Sequence, residues 1–196
     1  DPSWSRGLGD VYKRQERDSM SLYGQGTWNH SETFRSVFGL RYTDDEVYSE
    51  VTNFFGRQGT DILQVDGSKV TSRFVIEKDI DENRMFYVSY TKGYKPGGSN
   101  LTYGREDVVA PIVVLPTFEE EVVDAYEFGL KADIAGGRTR INSAVFFYNY
   151  EGLQYQATDP ELYQGGVSNI AESEIYGAEV EPVSYTHLTL PTTIAV

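Results

Sequence analysis

The chain has 196 residues, with 17 Lys and Arg against 30 Asp and Glu, a formal net charge of -13. Nucleic acids and anionic membrane surfaces are gripped by basic patches, so neither suits so acidic a chain, and no nucleic-acid partner is expected. With 0 Cys, disulfide frameworks, cysteine-ligated zinc and thiol catalysis are excluded, while 15 Tyr, 10 Phe and 19 Gly point to strands and turns.

No stretch approaches the roughly 18 apolar residues of a membrane helix. The longest apolar run, Val108 to Pro116, is broken by Pro111. Barrel strands alternate apolar and polar residues, so a mild hydropathy profile does not exclude them. The chain opens on Asp1 without a signal-peptide pattern, which suits a mature form or a piece of a longer protein.

In chain order, Ser19 to Trp28 reads as a strand, followed by the polar turn Asn29 to Glu32. Phe34, Ser36, Phe38, Leu40 and Tyr42 then alternate with Arg35, Val37, Gly39 and Arg41, giving one greasy face and one charged or small face. After a polar stretch, Lys69 to Ile80 alternates again, with Phe74, Ile76 and Ile80 opposed to Arg73, Glu77 and Asp79. The turn Asp81-Glu82-Asn83 leads into Met85 to Lys92, where Phe86, Val88 and Tyr90 share a face. Tyr126, Phe128, Leu130, Ala132 and Ile134 alternate with Glu127, Gly129, Lys131 and Asp133. Gly136-Gly137 turns this strand into Thr139 to Tyr150, and a last strand runs from about Glu174 to Glu181. The expected fold is all-β: an antiparallel meander of about seven strands.

Short turns near residues 29–33, 81–83 and 135–137 alternate with long connections at about 43–67, 93–120 and 157–167. In a meander every second connection lies at the same end, so short and long ones collect at opposite ends. A transmembrane barrel sorts its connections this way, with short periplasmic turns and long extracellular loops. Strands of about ten residues also match the 9–11 needed to cross a bilayer at a tilt. Trp28 near a short turn, and Tyr90, Tyr94, Tyr148 and Tyr150 near the long connections, are expected to form interfacial girdles. The strand propensity of tyrosine explains the same residues without a membrane.

The segments SLYGQGTW (21–28), VFGLRYTDD (37–45), YVSYTKGYKPGGSN (87–100), DAYEFGLKADI (124–134), RTRINSAVFFYNYEGLQ (138–154) and NIAESEIYGAEVE (169–181) together resemble TonB-dependent outer-membrane receptors. Gly93 and Pro96-Gly97-Gly98 match the family's turn into an outer loop, Glu127 and Gly129 its E-x-G strand signature, and Gly177 and Glu179 its G-x-E. The resemblance implies a partial barrel, over residues 16–182, of a protein of the bacterial outer membrane. It also implies energy-coupled uptake of a scarce small-molecule ligand: a metal chelate such as a ferric siderophore, a cobalamin-like cofactor or a glycan. The implied partners are outer-membrane lipid, the ligand, and the TonB complex acting through a plug domain that this chain does not contain. Ligand affinity is then expected in 43–67, 93–120 and 157–167, with no individual binding residue singled out and no cofactor expected. Residues 1–15 (DPSWSRGLGDVYKRQ) and 183–196 (VSYTHLTLPTTIAV) do not resemble the family. They look like translated adaptor read-through and are expected to be non-native tails. A passive porin-like channel and a secreted β-sandwich carbohydrate-binding module remain as rivals.

No catalytic constellation emerges, and an enzyme is not expected. Ser89 to Lys92 fits an S-x-x-K pattern, but that chemistry needs one helical face, and residues three apart on a strand point to opposite sides. Asp79, Asp81 and Asn83 begin like a calcium loop, yet Arg84 stands where its glycine belongs and Tyr90 where its bidentate Glu belongs. The acidic groups 44–46 and 119–121 read as solvated charge, and His30 and His187 as neither ligand nor base. The run Val108 to Leu115 is expected to fold on itself as a small cluster inside its loop.

Overall fold

A computed structural model describes residues 12–52, 60–100, 115–159 and 164–184. Seven long strands form one antiparallel sheet: β1 (Tyr12–Ser31), β2 (Phe34–Thr52), β3 (Thr60–Asp81), β4 (Arg84–Lys95), β7 (Glu121–Ile134), β8 (Thr139–Asp159) and β9 (Gln164–Ser184). Each pairs with its neighbour in sequence, so the sheet is the expected meander. Two short strands, β5 (Gly98–Ser99) and β6 (Thr117–Phe118), pair separately inside the β4–β7 connection. Among the described residues no helix is long and apolar enough to cross a membrane, which says nothing about crossing by strands.

The three short turns all lie at one end, at residues 32–33, 82–83 and 135–138. Positive φ at Ala135, Gly136 and Gly137 closes the last of them. The long connections lie at the other end, but much of the first and third is strand. β2 runs on to Thr52 and β3 starts at Thr60, so most of 43–67 is a paired hairpin; β8 and β9 extend likewise through most of 157–167. On β2, β3 and β8 the ten-residue lengths read from hydropathy are therefore only the apolar stretch of strands 19 to 22 residues long. Beyond that stretch polar residues such as Asp44, Glu46, Gln64 and Asp66 enter the outer face, the period-2 contrast fades, and the backbone still pairs. The tip of each of these two hairpins, and residues 108–114 of the apolar run, lie outside the described residues.

Register carries the greasy positions of every strand into one outer face. One row of aligned partners reads Phe38, Phe74, Tyr90, Tyr126, Phe147 and Tyr176; the next reads Ser36, Ile76, Val88, Phe128, Val145 and Ala178. The large apolar side chains left exposed on the seven strands belong to this outer set, with Tyr23 and Ile175 excepted. Buried apolar residues are few and small, such as Val47, Val51 and Val75. Among the described residues, no second layer covers the apolar face of the sheet.

The aromatic band differs from the expected one. Tyr90, Tyr126, Phe147 and Tyr176 form it, with Tyr90 and Tyr126 ring centroids 5.1 Å apart and Tyr126 and Phe147 6.5 Å apart. Just above it the outer face turns polar at Lys92, Asp124, Asn149 and Glu174. Tyr148 and Tyr150 occupy the inner face, because strand parity opposes them to Phe147, and the Tyr94 hydroxyl turns toward Gly67 at the mouth. On β2 and β3 the apolar stretch reaches Tyr42 and Val70, farther along the register than on β7 to β9. A level apolar slab cut by tilted strands gives that offset.

At the β3–β4 turn, Arg84 grips Asp81 with Nε at 2.7 Å, and the Asn83 backbone N–H donates to the same carboxylate at 2.9 Å. The Arg84 bond first, and the Asn83 N–H second, hold the Asp81 carboxyl below its ordinary value of 3.8. A depressed folded pKa adds stability above the unfolded value and loses it as pH falls through the folded one. Asp81→Asn in the complete protein should therefore weaken the pH dependence of heat-induced unfolding below about pH 4, where an unperturbed carboxyl begins to protonate. An identical acid limb in the variant contradicts the assignment.

Candidate ligand-facing wall

Opposite the greasy face, the inner face is polar and internally bonded. Arg35 on β2 pairs with Glu77 and, at 2.9 Å, with Asp79 on β3, while its other nitrogen lies 3.1 Å from Met85 Sδ. Arg35, Asp79 and Met85, with Asp81, Lys131, Asp133 and Arg140, ring an open cavity of about 660 Å³ at the short-turn end. Both signs of charge are present there, and most are already paired. The geometry gives a charged, internally paired wall.

Midway up the wall, the Tyr87 hydroxyl donates to Glu127, and Lys131 lies 5.4 Å over the Tyr87 ring. Gly129 is the cross-strand partner of Tyr87, and a Cβ there would lie 2.3 Å from the ring. Gly177 is related in the same way to Phe146, with a Cβ 2.8 Å from that ring. The glycines of the E-x-G and G-x-E signatures thus leave room for a facing aromatic ring to lie flat on the strand. Motif resemblance marks these residues as architectural, and the geometry supplies the reason.

At the long-connection end a second open cavity of about 560 Å³ is lined by Asp45, Val47, Asp66, Gly67, Tyr94, Phe118, Glu119 and Glu120, among others. Asp45 is 4% exposed; Oδ1 accepts from Arg17 at 3.3 Å, and Oδ2 has no hydrogen-bond partner. Lys69 pairs with Glu120. Burial first, then the charges of Asp45 and Glu120, push the Tyr94 phenol up to about 12, so it stays a protonated donor at the mouth.

The rejected chemistries fall where the alternation placed them. Ser89 sits on the inner face, whereas Lys92 sits on the outer face 3.5 Å from Asp124. Asp79 and Asp81 are engaged by Arg35 and Arg84. Asp45 and Glu120 are paired, and so are not the free solvated charge expected of their clusters. His30 meets Ser36 Oγ at 2.8 Å, and His187 lies outside the described residues. Among the described residues no group of three or more His, Asp or Glu is placed to hold a metal ion. Sequence reasoning misses a set of carboxamides, Asn100, Gln154 and Asn169, that join the β4–β7 connection to the wall.

The close approach at Gly129 gives a direct test. Gly129→Val in the complete protein must displace the Tyr87 ring and break its bond to Glu127, at a cost of about 1–3 kcal/mol for an overpacked site. A lower unfolding midpoint is the expected result, with recovery on adding Tyr87→Ala. Equal midpoints for Gly129→Val and the parent protein contradict it.

The fold has known counterparts. The structure superposes on the ferric yersiniabactin uptake receptor FyuA of Yersinia pestis with a TM-score of 0.67 and 19% identity, covering 88% of this chain and 25% of that one. It superposes on the alcaligin outer-membrane receptor FauA of Bordetella pertussis with a TM-score of 0.58 and 19% identity, covering 91% of this chain and 28% of that one. The chain thus spans about a quarter of the length of these receptors. The family model for the TonB-dependent receptor-like β-barrel matches residues 1–191. With its two-faced meander, sorted turns and E-x-G and G-x-E pairs, the chain belongs to the TonB-dependent receptor β-barrel family.

Proposed function

We propose that this chain forms part of the barrel wall of an outer-membrane receptor that takes up a scarce small-molecule ligand with energy delivered by TonB. The observation that carries the reading is the exposed apolar outer face, continuous across seven strands and backed by a bonded, charged inner face. In water such a face drives aggregation; in a bilayer it is the wall of a barrel. Ferric siderophores are the proposed ligand class, because the two superposed receptors are described by ferric yersiniabactin and by alcaligin. A wall and a mouth suit a transporter. In the complete receptor, TonB would act through a plug domain and the outer connections would make first contact with the ligand.

The test uses the complete receptor expressed in a host stripped of its own siderophore receptors. Radiolabelled iron is offered as ferric hydroxamate, catecholate and phenolate chelates. Uptake of at least one chelate that disappears on removal of TonB is the expected result. Uptake of all three at the same rate without TonB indicates a passive channel. Recovery of the intact protein in the detergent-free soluble fraction indicates a β-sandwich module, and either finding contradicts the proposal.

Residues 1–15 and 183–196 are proposed to be foreign to the receptor gene, on their likeness to translated adaptor read-through, although the family match spans residues 1–191 and Tyr12 to Gln15 pair with β2. Amplification of the gene from its source with primers outside both stretches should return different flanking residues. Recovery of the same two stretches contradicts this.

A further inference from the structure

Three segments far apart in sequence meet at one point above the apolar band. They are the Pro96–Gly97–Gly98–Ser99–Asn100 turn, the Gly152–Leu153–Gln154 stretch of β8, and Asn169 on β9. Gln154 and Asn169 are direct cross-strand partners. Against them lies the foot of the β4–β7 connection, residues 96–100 and 115–120, which turns inward. On one side Ser99 Oγ meets Ser49 Oγ on the inner face of β2.

On the other side the foot is held by carboxamides. Asn100 accepts from the Val167 backbone N–H at 2.8 Å and donates to the Val167 and Leu115 carbonyls, each at 2.8 Å. Asn169 accepts from the Glu119 N–H at 2.8 Å and donates to the carbonyls of Glu119 at 3.0 Å and Gly152 at 2.7 Å. Each carboxamide reproduces the paired N–H···O=C exchange of two strands, with a side chain standing in for one of them. Gln154 Nε2 completes the set by donating to the Pro96 and Glu119 carbonyls, both at 2.9 Å.

The contact is backbone against backbone. Gly152 has φ +66°, and a Cβ there would lie 2.5 Å from the Glu120 carbonyl; at Gly97 it would lie 2.6 Å from the Phe118 carbonyl. Ser99 and Asn100 are buried. Polar backbone turned inward without partners is destabilising, so the foot can stay there only while those groups are met.

We propose that Asn100, Gln154 and Asn169 are positioning residues that dock the foot of the β4–β7 connection on the inner wall, so that fixed backbone narrows the outer mouth. This rests on the reading of the chain as a receptor wall. The sequence runs KPGGSN, EGLQ and NIAESE then act together, each supplying part of the same clamp.

The experiment uses the complete receptor in outer-membrane vesicles, without ligand. Val47→Cys, 4% exposed and lining the mouth cavity beside Thr117 and Phe118, reports on the foot through its reaction with a polyethylene glycol maleimide. With the clamp intact, labelling should be slow. Combining Asn100→Leu with Asn169→Leu should raise the rate about tenfold or more, because several hydrogen bonds are lost together. Asn169→Asp keeps the size and the acceptor for Glu119 N–H but loses both donors, and should expose the thiol as well, separating hydrogen bonding from packing. An unchanged rate in both variants, with the barrel shown to be folded by its heat-dependent gel mobility, overturns the proposal. Where the double variant does not fold, Asn169→Asp decides alone. No ligand enters this assay, so unchanged labelling leaves the receptor reading standing, whereas TonB-independent iron uptake defeats that reading and leaves the clamp untouched.

Discussion

A peptide group in hydrocarbon has no water to bond, and each unmet N–H or C=O there costs several kcal/mol. That constraint shapes everything seen in this chain. It requires every strand to be paired along its whole lipid-facing length; within the seven-strand meander the five inner strands are paired on both sides, with unbroken register through most of the ladders, and β1 and β9 stand at the two ends of the strand order. It also dictates the alternation. With a period of 2, one set of side chains must meet acyl chains while the other meets water. Phe128 and Leu130 therefore take one side of β7, and Glu127 and Lys131 the other.

The same constraint explains why the inner wall is bonded to itself. Arg35, Glu77 and Asp79 lie side by side across β2 and β3, and Tyr87 reaches Glu127 across β4 and β7. Charges close to a low-dielectric slab are best kept paired and hydrated. Aromatic rings laid over Gly129 and Gly177 cover the backbone where a side chain is missing, an arrangement that keeps the wall smooth on its wet side. The mouth meets the same need by other means. Where the β4–β7 foot leaves the sheet, carboxamides replace the missing strand partner.

Much of the barrel segment is legible in the sequence because lipid sharpens contrast. The alternations at Phe34 to Tyr42 and Tyr126 to Ile134, and the turns at Glu82-Asn83 and Gly136-Gly137, stand where the sequence predicts them. Above the apolar band the contrast disappears. Asp44, Glu46, Gln64 and Asp66 interrupt the greasy set on the outer face, so paired strands there look like loop. Proximity to a strand end marks the tyrosines, whereas parity decides their face; Phe147 and Tyr176 take the girdle, and Tyr148 and Tyr150 do not. The carboxamide clamp is beyond the reach of sequence for a different reason. Asn and Gln can bond almost any backbone group, and only register brings Gln154 beside Asn169 and both beneath Glu119.

In a receptor wall the exposed apolar face touches lipid and the opposite face touches water. Nitroxides placed singly at Phe128, Val145, Glu127 and Lys131 of the complete protein in lipid vesicles read this directly, through collision with dissolved oxygen or with a water-soluble nickel chelate. Oxygen should dominate at Phe128 and Val145, and the nickel chelate at Glu127 and Lys131. The reverse pattern, or nickel collision equal at all four positions, would contradict the assignment of the two faces.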